Sequence, residues 1–157
     1  MGWASGSARC RPARRHRGPS GPVASGCLVL AAALLLTGCT SASATMEQAV
    51  GQGIAAVETA RLVVQQELDD RTFTTTATAT LGDARRELVS AATTVSQTDV
   101  TGEADAAYRD EVLTALGDGL DAVNDARDAL GGVGSLEATV PQLEDAADGL
   151  EDVEGGP

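Results

Sequence analysis

From Met46 to Val153 the apolar residues recur every three or four positions, and this spacing constrains the fold more than any other feature of the chain. Met46, Val50, Ile54, Val57, Val64 and Leu68 make one stripe. Leu81, Ala84, Leu88, Ala91 and Val95 make a second, and Leu113, Leu116, Leu120, Val123 and Leu130 a third, extended backwards by Val112 and Tyr108. Leu136, Val140, Leu143, Ala147 and Leu150 make a fourth. Such spacing places each row on one face of a helix. Between the stripes lie Asp69-Asp70-Arg71, the segment 98–102 and Gly131-Gly132-Val133-Gly134, all of turn-forming composition. Short connections make neighbouring helices antiparallel. The expected fold is therefore all-α: an antiparallel bundle of about four helices over residues 46–153.

Two segments read less directly. Phe73 to Thr80 is Thr-rich and alternating. A lone strand would have no partner here, so it is expected to open the second helix. Pro141 interrupts the fourth stripe. It either kinks that helix or marks its first turn, the latter with Thr139 and Gln142 as a capping box. A weak internal repeat runs through Val57-Ala60-Val64, Leu81-Ala84-Leu88, Val123-Ala126-Leu130 and Leu143-Ala146-Leu150. It places Ala60 and Ala126 inward and Arg61 and Arg127 on the flanks.

The core available to these helices is thin. The aromatic residues are Trp3, Phe73 and Tyr108 alone. At about 25 cal/mol per Å² of buried apolar surface, an alanine layer stabilises far less than a leucine layer. A marginal domain, or one supported by a partner or by self-association, is expected.

The N-terminal region has a different character. Arg9, Arg11, Arg14, Arg15 and Arg17 precede a mainly apolar stretch from Val23 to Leu36, and no acidic residue occurs before Glu47. The stretch is shorter than the roughly 20 apolar residues of a spanning helix. A basic start, a short apolar middle and small residues after it describe a secretory signal peptide. Arg14-Arg15 is followed by His16-Arg17. The twin-arginine export motif wants an apolar pair there. Leu36-Thr37-Gly38-Cys39 resembles the lipobox of bacterial lipoproteins. The chain as a whole is similar in composition to small Ala-rich, Lys-free lipoproteins of high-GC Gram-positive bacteria.

The lipobox resemblance implies cleavage before Cys39, with a lipid on the Cys39 sulfur. Residues 1–38 are then the signal peptide, 39–45 a lipid-anchored tether, 46–153 the helical bundle and 154–157 a flexible tail. Cys10 and Cys27 leave with the signal, so the processed chain has neither a disulfide nor a free thiol. Fully extended, the seven tether residues reach at most about 25 Å. The bundle is expected on the extracytoplasmic face of the cell membrane, held there by the lipid.

Charge narrows the partners. The whole chain carries −12, but residues 39–157 hold six arginines against all 23 acidic residues, a net charge of −17. Nucleic acid is excluded as a partner, because its phosphates require a basic surface. Membrane-surface helices are rich in Lys and Arg, so the bundle itself is not expected to lie flat on anionic lipid. An envelope protein or a second copy of the chain is the expected partner.

Catalytic chemistry finds little support. Residues 39–157 contain no histidine, and their one cysteine is Cys39. Ser-His-Asp and Cys-His catalysis and thiolate or imidazole zinc sites are thereby absent. Gly51-Gln52-Gly53 lacks the remainder of a dinucleotide fingerprint. No enzyme activity and no cofactor are expected. Asp118, Asp121, Asp125 and Asp128 follow spacings of three, four and three and line one helix face, while Glu144, Asp145, Asp148, Glu151 and Asp152 form a second acidic patch. These carboxylates are the candidate ligands for weak binding of divalent cations or cationic ligands, although the calcium-loop pattern is missing. A solvated face is the plainer reading. The i,i+4 pairs Glu67–Arg71 and Asp105–Arg109 fit that face, at about 0.2–0.5 kcal/mol each.

Overall fold

The computed structural model describes residues 41–155. Within them the chain forms four helices and no strand: α1 (Ala42–Leu68), α2 (Thr74–Ser96), α3 (Glu103–Leu130) and α4 (Leu136–Glu154). The expected all-α bundle is what forms. The signal segment 1–38, the first two tether residues and the last two residues of the chain lie outside the described residues.

The helix ends explain where the expected boundaries shift. Helix α1 starts at Ala42, so four of the seven residues read as tether are helical. Ser41 is the cause: its hydroxyl accepts from the Ala44 N–H at 3.2 Å, and its carbonyl accepts from the Thr45 N–H at 3.1 Å. A serine cap followed by two alanines in the first turn favours helix, although the segment lacks the branched residues that reveal a stripe. Helix α2 opens in the Thr-rich segment, as expected. The Thr78 hydroxyl there donates to the Thr74 carbonyl at 2.8 Å. Helix α3 has Glu103 and Asp105 in its first turn and Arg127 in its last, each suited to the local end of the helix dipole.

Helix α4 corrects the capping-box reading. Its cap is Ser135, whose hydroxyl accepts from the Ala138 N–H at 3.4 Å. Thr139 is buried, and its hydroxyl donates to the Leu136 carbonyl at 2.8 Å. Pro141 lies inside the helix, in its second turn, where it forgoes a single backbone bond. The helix runs on through Glu154, the first residue of the expected tail. Val153, half-buried against the core, accounts for that extension.

Consecutive helices pack against one another, and α4 packs back on α1 to close the ring. Across the ring, α1 meets α3 but α2 does not meet α4 among the described residues. The bundle is thus pinched along one diagonal. Two glycines make the pinch. A Cβ placed on Gly53 of α1 would lie 2.6 Å from Leu116 Cδ2 of α3, and one on Gly119 of α3 would lie 3.1 Å from Val57 Cγ2 of α1. Each helix therefore offers a notch to a branched side chain of the other. Leu150 of α4 lies against both notches, within 3.4 Å of the Gly53 position and 3.7 Å of the Gly119 position.

The core follows the expected stripes. Met46, Leu81, Leu88, Leu116, Leu143 and Leu150 are its largest fully buried side chains, with valines and alanines filling the rest. All twelve positions of the internal repeat are buried except Leu130, which is half-buried. Arg127 is exposed and Arg61 half-buried, in keeping with flank positions.

Candidate functional site

The antiparallel pair α3 and α4 leaves a groove between its outer faces. At its α3 start the groove has a volume of about 450 Å³ and is bounded by Ala107, Thr114, Ala115, Ala146, Gly149 and Val153, with Asp110, Glu111, Asp118 and Asp145 at its edges. Asp118, Asp145 and Ala146 carry it into a second stretch with Asp121, Ala122, Asp125 and Gln142. Asp125 and Gln142 in turn join a third stretch, which reaches Asp128, Ala129, Val133 and Ala138. From Ala107 to Ala129 the groove follows α3 for about 33 Å at 1.5 Å per residue.

Its shape follows from residue size. Ala115, Ala122 and Ala129 stand seven residues apart along the floor. Alanine buries its methyl group without filling the space beyond it, so the seam between the helices stays open. A built Cβ at Gly149 meets nothing within 4 Å, which leaves the facing wall equally low.

The four carboxylates singled out in the sequence all line this groove. Asp118, Asp121 and Asp125 belong to its middle, and Asp125 and Asp128 to its far end. Of the second acidic patch, only Asp145 joins them. Glu144 points to the other side of α4, where its Oε1 lies 3.7 Å from Arg61 Nη1 of α1. Asp118, Asp121, Asp125, Asp128 and Asp145 are exposed, and none has an arginine within salt-bridge distance among the described residues. They run along the groove without converging: among the described residues no three acidic, histidine or cysteine side chains gather as a metal site requires.

Among the described residues, every arginine except Arg127 is engaged elsewhere. Arg61 Nη2 donates to Glu58 Oε2 at 2.7 Å, and this hydrogen bond and charge hold the guanidinium pKa above its ordinary value. Arg86 pairs with Asp83, and Arg85 donates to Asn124 Oδ1 at 3.2 Å, linking α2 to α3. The two expected i,i+4 pairs do not form. Arg71 lies beyond the end of α1, after Asp70 turns the chain with φ of 53°, and meets Asp69 at 4.0 Å. Glu67 accepts instead from the Thr74 hydroxyl at 2.6 Å. Asp105 is turned back toward Gly102, and Arg109 lies 3.5 Å from Asp110.

Two further groups depart from ordinary titration. Burial pushes the Tyr108 hydroxyl pKa up, aided by nearby Glu47, Glu111 and Glu154. That hydroxyl donates to the Val153 carbonyl at 3.1 Å and ties the start of α3 to the end of α4. The Ser135 hydroxyl donates to Glu137 at 2.8 Å and lowers the carboxyl pKa there.

Sequence reasoning found the acidic rim and missed the floor. The signal was present in the seven-residue spacing of Ala115, Ala122 and Ala129, but an alanine stripe alone does not separate a buried seam from an open one. Leu36, Thr37, Gly38 and Cys39 lie outside the described residues. No helix among the described residues is long and apolar enough to cross a membrane. Comparison with protein-family models, with curated proteins and with solved structures finds no match for this chain.

Proposed function

We propose that this chain is a bacterial lipoprotein, anchored through a lipid on Cys39 to the outer face of the cytoplasmic membrane, and that its helical bundle serves as an interaction module of the cell envelope. The observation that carries the reading is Leu36-Thr37-Gly38-Cys39, preceded by an apolar stretch and five arginines. The early start of α1 adds to it. Ser41 caps the helix two residues after Cys39, so the anchor is separated from the bundle by about 7 Å of chain at most. A lipidated Cys39 would thus seat the α1 start, the α2–α3 connection and the α4 end against the bilayer. Glu47, Asp99, Glu103 and Glu154 fall at that end and would be repelled by anionic headgroups, which favours a bundle standing on the surface. We assign the bundle no catalytic step.

The test is Cys39→Ser in the native host. The parent should partition into the detergent phase of a membrane extract. The variant should remain uncleaved or appear in the medium. A variant still processed and still lipid-modified would refute the anchor.

A further inference from the structure

The flank between α2 and α3 differs in character from every other side of the bundle described so far. Arg85 Nε donates to Asn124 Oδ1 at 3.2 Å, which sets α2 and α3 level at that point. Steps of three and four residues from Arg85 place Gly82, Val89 and Ala92 on the same side of α2. The same steps from Asn124 place Leu113, Gly117, Leu120 and Arg127 on the facing side of α3. The acidic residues of both stretches turn elsewhere. Asp83 and Glu87 line a groove against α1. Asp110, Glu111, Asp118, Asp121, Asp125 and Asp128 line the groove against α4.

The α2–α3 flank is thus free of carboxylates from Gly82 to Ala92 and from Leu113 to Arg127. Arginines collect on it instead. Arg85 and Arg127 lie on it, Arg86 borders it, and Arg109 stands one turn before Leu113; these are four of the six arginines in residues 39–157. Neither Arg85 nor Arg127 has a carboxylate within salt-bridge distance among the described residues. The middle of the flank is apolar: Val89 is 40% exposed, and Ala92, Leu113 and Leu120 are half-buried beside it.

We infer that this flank docks a second copy of the chain, received through that copy's acidic α3–α4 face. Charge complementarity selects the occupant. Two arginines without carboxylate partners, in a chain of 23 acidic residues, call for carboxylates from outside. Register agrees with sign. Arg109 to Arg127 spans about 27 Å of α3, and Asp110 to Asp128 spans the same length of the same helix. Two copies side by side, with parallel axes and equal height, therefore oppose the two rows. The net charge of −17 acts between whole bodies and is screened over about 8–10 Å, whereas the contact itself joins opposite signs. A flank paired with its own copy would instead set arginine against arginine.

The contact uses two different faces, so it is heterologous and propagates as a row or closes as a ring. Parallel axes keep every α1 start at one end. Copies anchored through Cys39 have this common orientation, and confinement to one membrane raises their effective concentration. The inference deepens the interaction role proposed above and rests on the anchor only for that orientation.

The test uses the full chain in non-ionic detergent, with micelles in excess over protein and a donor or acceptor dye at the C-terminus. The parent should show energy transfer that rises with concentration and saturates. Arg85→Gln with Arg127→Gln should weaken association about tenfold, as should Asp118→Asn with Asp125→Asn. An equimolar mixture of the two double variants should regain transfer and stop at pairs, because each keeps the face that the other lacks. That recovery also requires both variants to be folded. Val89→Ser should weaken the parent about threefold.

A parent without transfer at about 100 μM would overturn the proposal. So would parent-like transfer in either double variant. A mixture that stays unpaired would overturn it too, since a flank pairing with itself behaves in that way. Lipid on Cys39 is measured by mass on the same sample, and association in detergent does not require it. Failure of the contact and failure of the anchor are therefore read independently.

Discussion

Gly53 of α1 faces Leu116 of α3 so closely that a Cβ at position 53 would fall 2.6 Å from Leu116 Cδ2. The close diagonal of the bundle depends on this contact and on its counterpart, Gly119 facing Val57. Gly53→Ala should therefore destabilise the bundle even though alanine is the better helix former. Overpacking costs about 1–3 kcal/mol and the propensity gain returns about 1, so a net loss near 1 kcal/mol is expected. Gly117→Ala, next to Leu116 but pointing into open space, should gain about 0.5–1 kcal/mol. Thermal melting of the two variants beside the parent gives the comparison. Equal and opposite shifts in the reverse sense would mean that the helices are not pinched here.

The importance of the diagonal also fixes which leucine matters most. Leu150 is fully buried and lies against both glycine notches. Leu150→Ala should cost about 2–5 kcal/mol, with little collapse because the neighbouring notches have no side chain to move in. In a chain whose core is mostly alanine and valine, that loss should abolish cooperative melting, as circular dichroism would show. A melting curve like that of the parent would place the weight of the core elsewhere.

Much of this architecture was legible in the sequence. The stripe Leu81-Ala84-Leu88-Ala91-Val95 is buried throughout, as its spacing requires. What could not be read were features with no apolar signal. Ser41 and Ser135 set helix starts through single hydroxyl bonds; Ser41 is not distinguishable in sequence from Thr40 and Ser43 around it, and Ser135 competes as a start with Thr139 four residues on. Gly53 and Gly119 belong to the core while an apolar pattern counts them as gaps. The acidic rim was visible at Asp118, Asp121, Asp125 and Asp128, because its spacing is helical. Its floor depends on where α4 lies relative to α3, which is a tertiary fact.

Tyr108 supplies a pH test. Its hydroxyl pKa is raised in the folded state, so its stabilising contribution is fully present below the unfolded value of about 10 and is lost as pH rises through the raised value. Melting temperature should thus fall above about pH 10. Tyr108→Phe should cost about 1 kcal/mol at neutral pH, through loss of the bond to the Val153 carbonyl, and should flatten the alkaline fall. An undiminished fall in the variant would assign it to other groups.

Salt should stabilise the bundle. Residues 39–157 carry −17, and the exposed carboxylates of α3 and α4 repel one another. Screening acts over about 8–10 Å near physiological ionic strength. Raising NaCl should raise the melting temperature of the processed protein in non-ionic detergent. Ca²⁺ at matched ionic strength should add no saturable rise. A saturable rise lost on replacing Asp121 and Asp125 with asparagine would establish cation binding by mass action and displace the interaction reading.

The central claim is that a membrane lipid on Cys39 holds this bundle two residues from its first helix cap. Mass spectrometry of the N-terminal peptide from membrane-extracted protein tests it most directly. The account predicts a chain beginning at Cys39 with a lipid on the sulfur and no residue from 1–38. A peptide that still carries residues preceding Cys39, or a chain beginning elsewhere with an unmodified thiol, would contradict it.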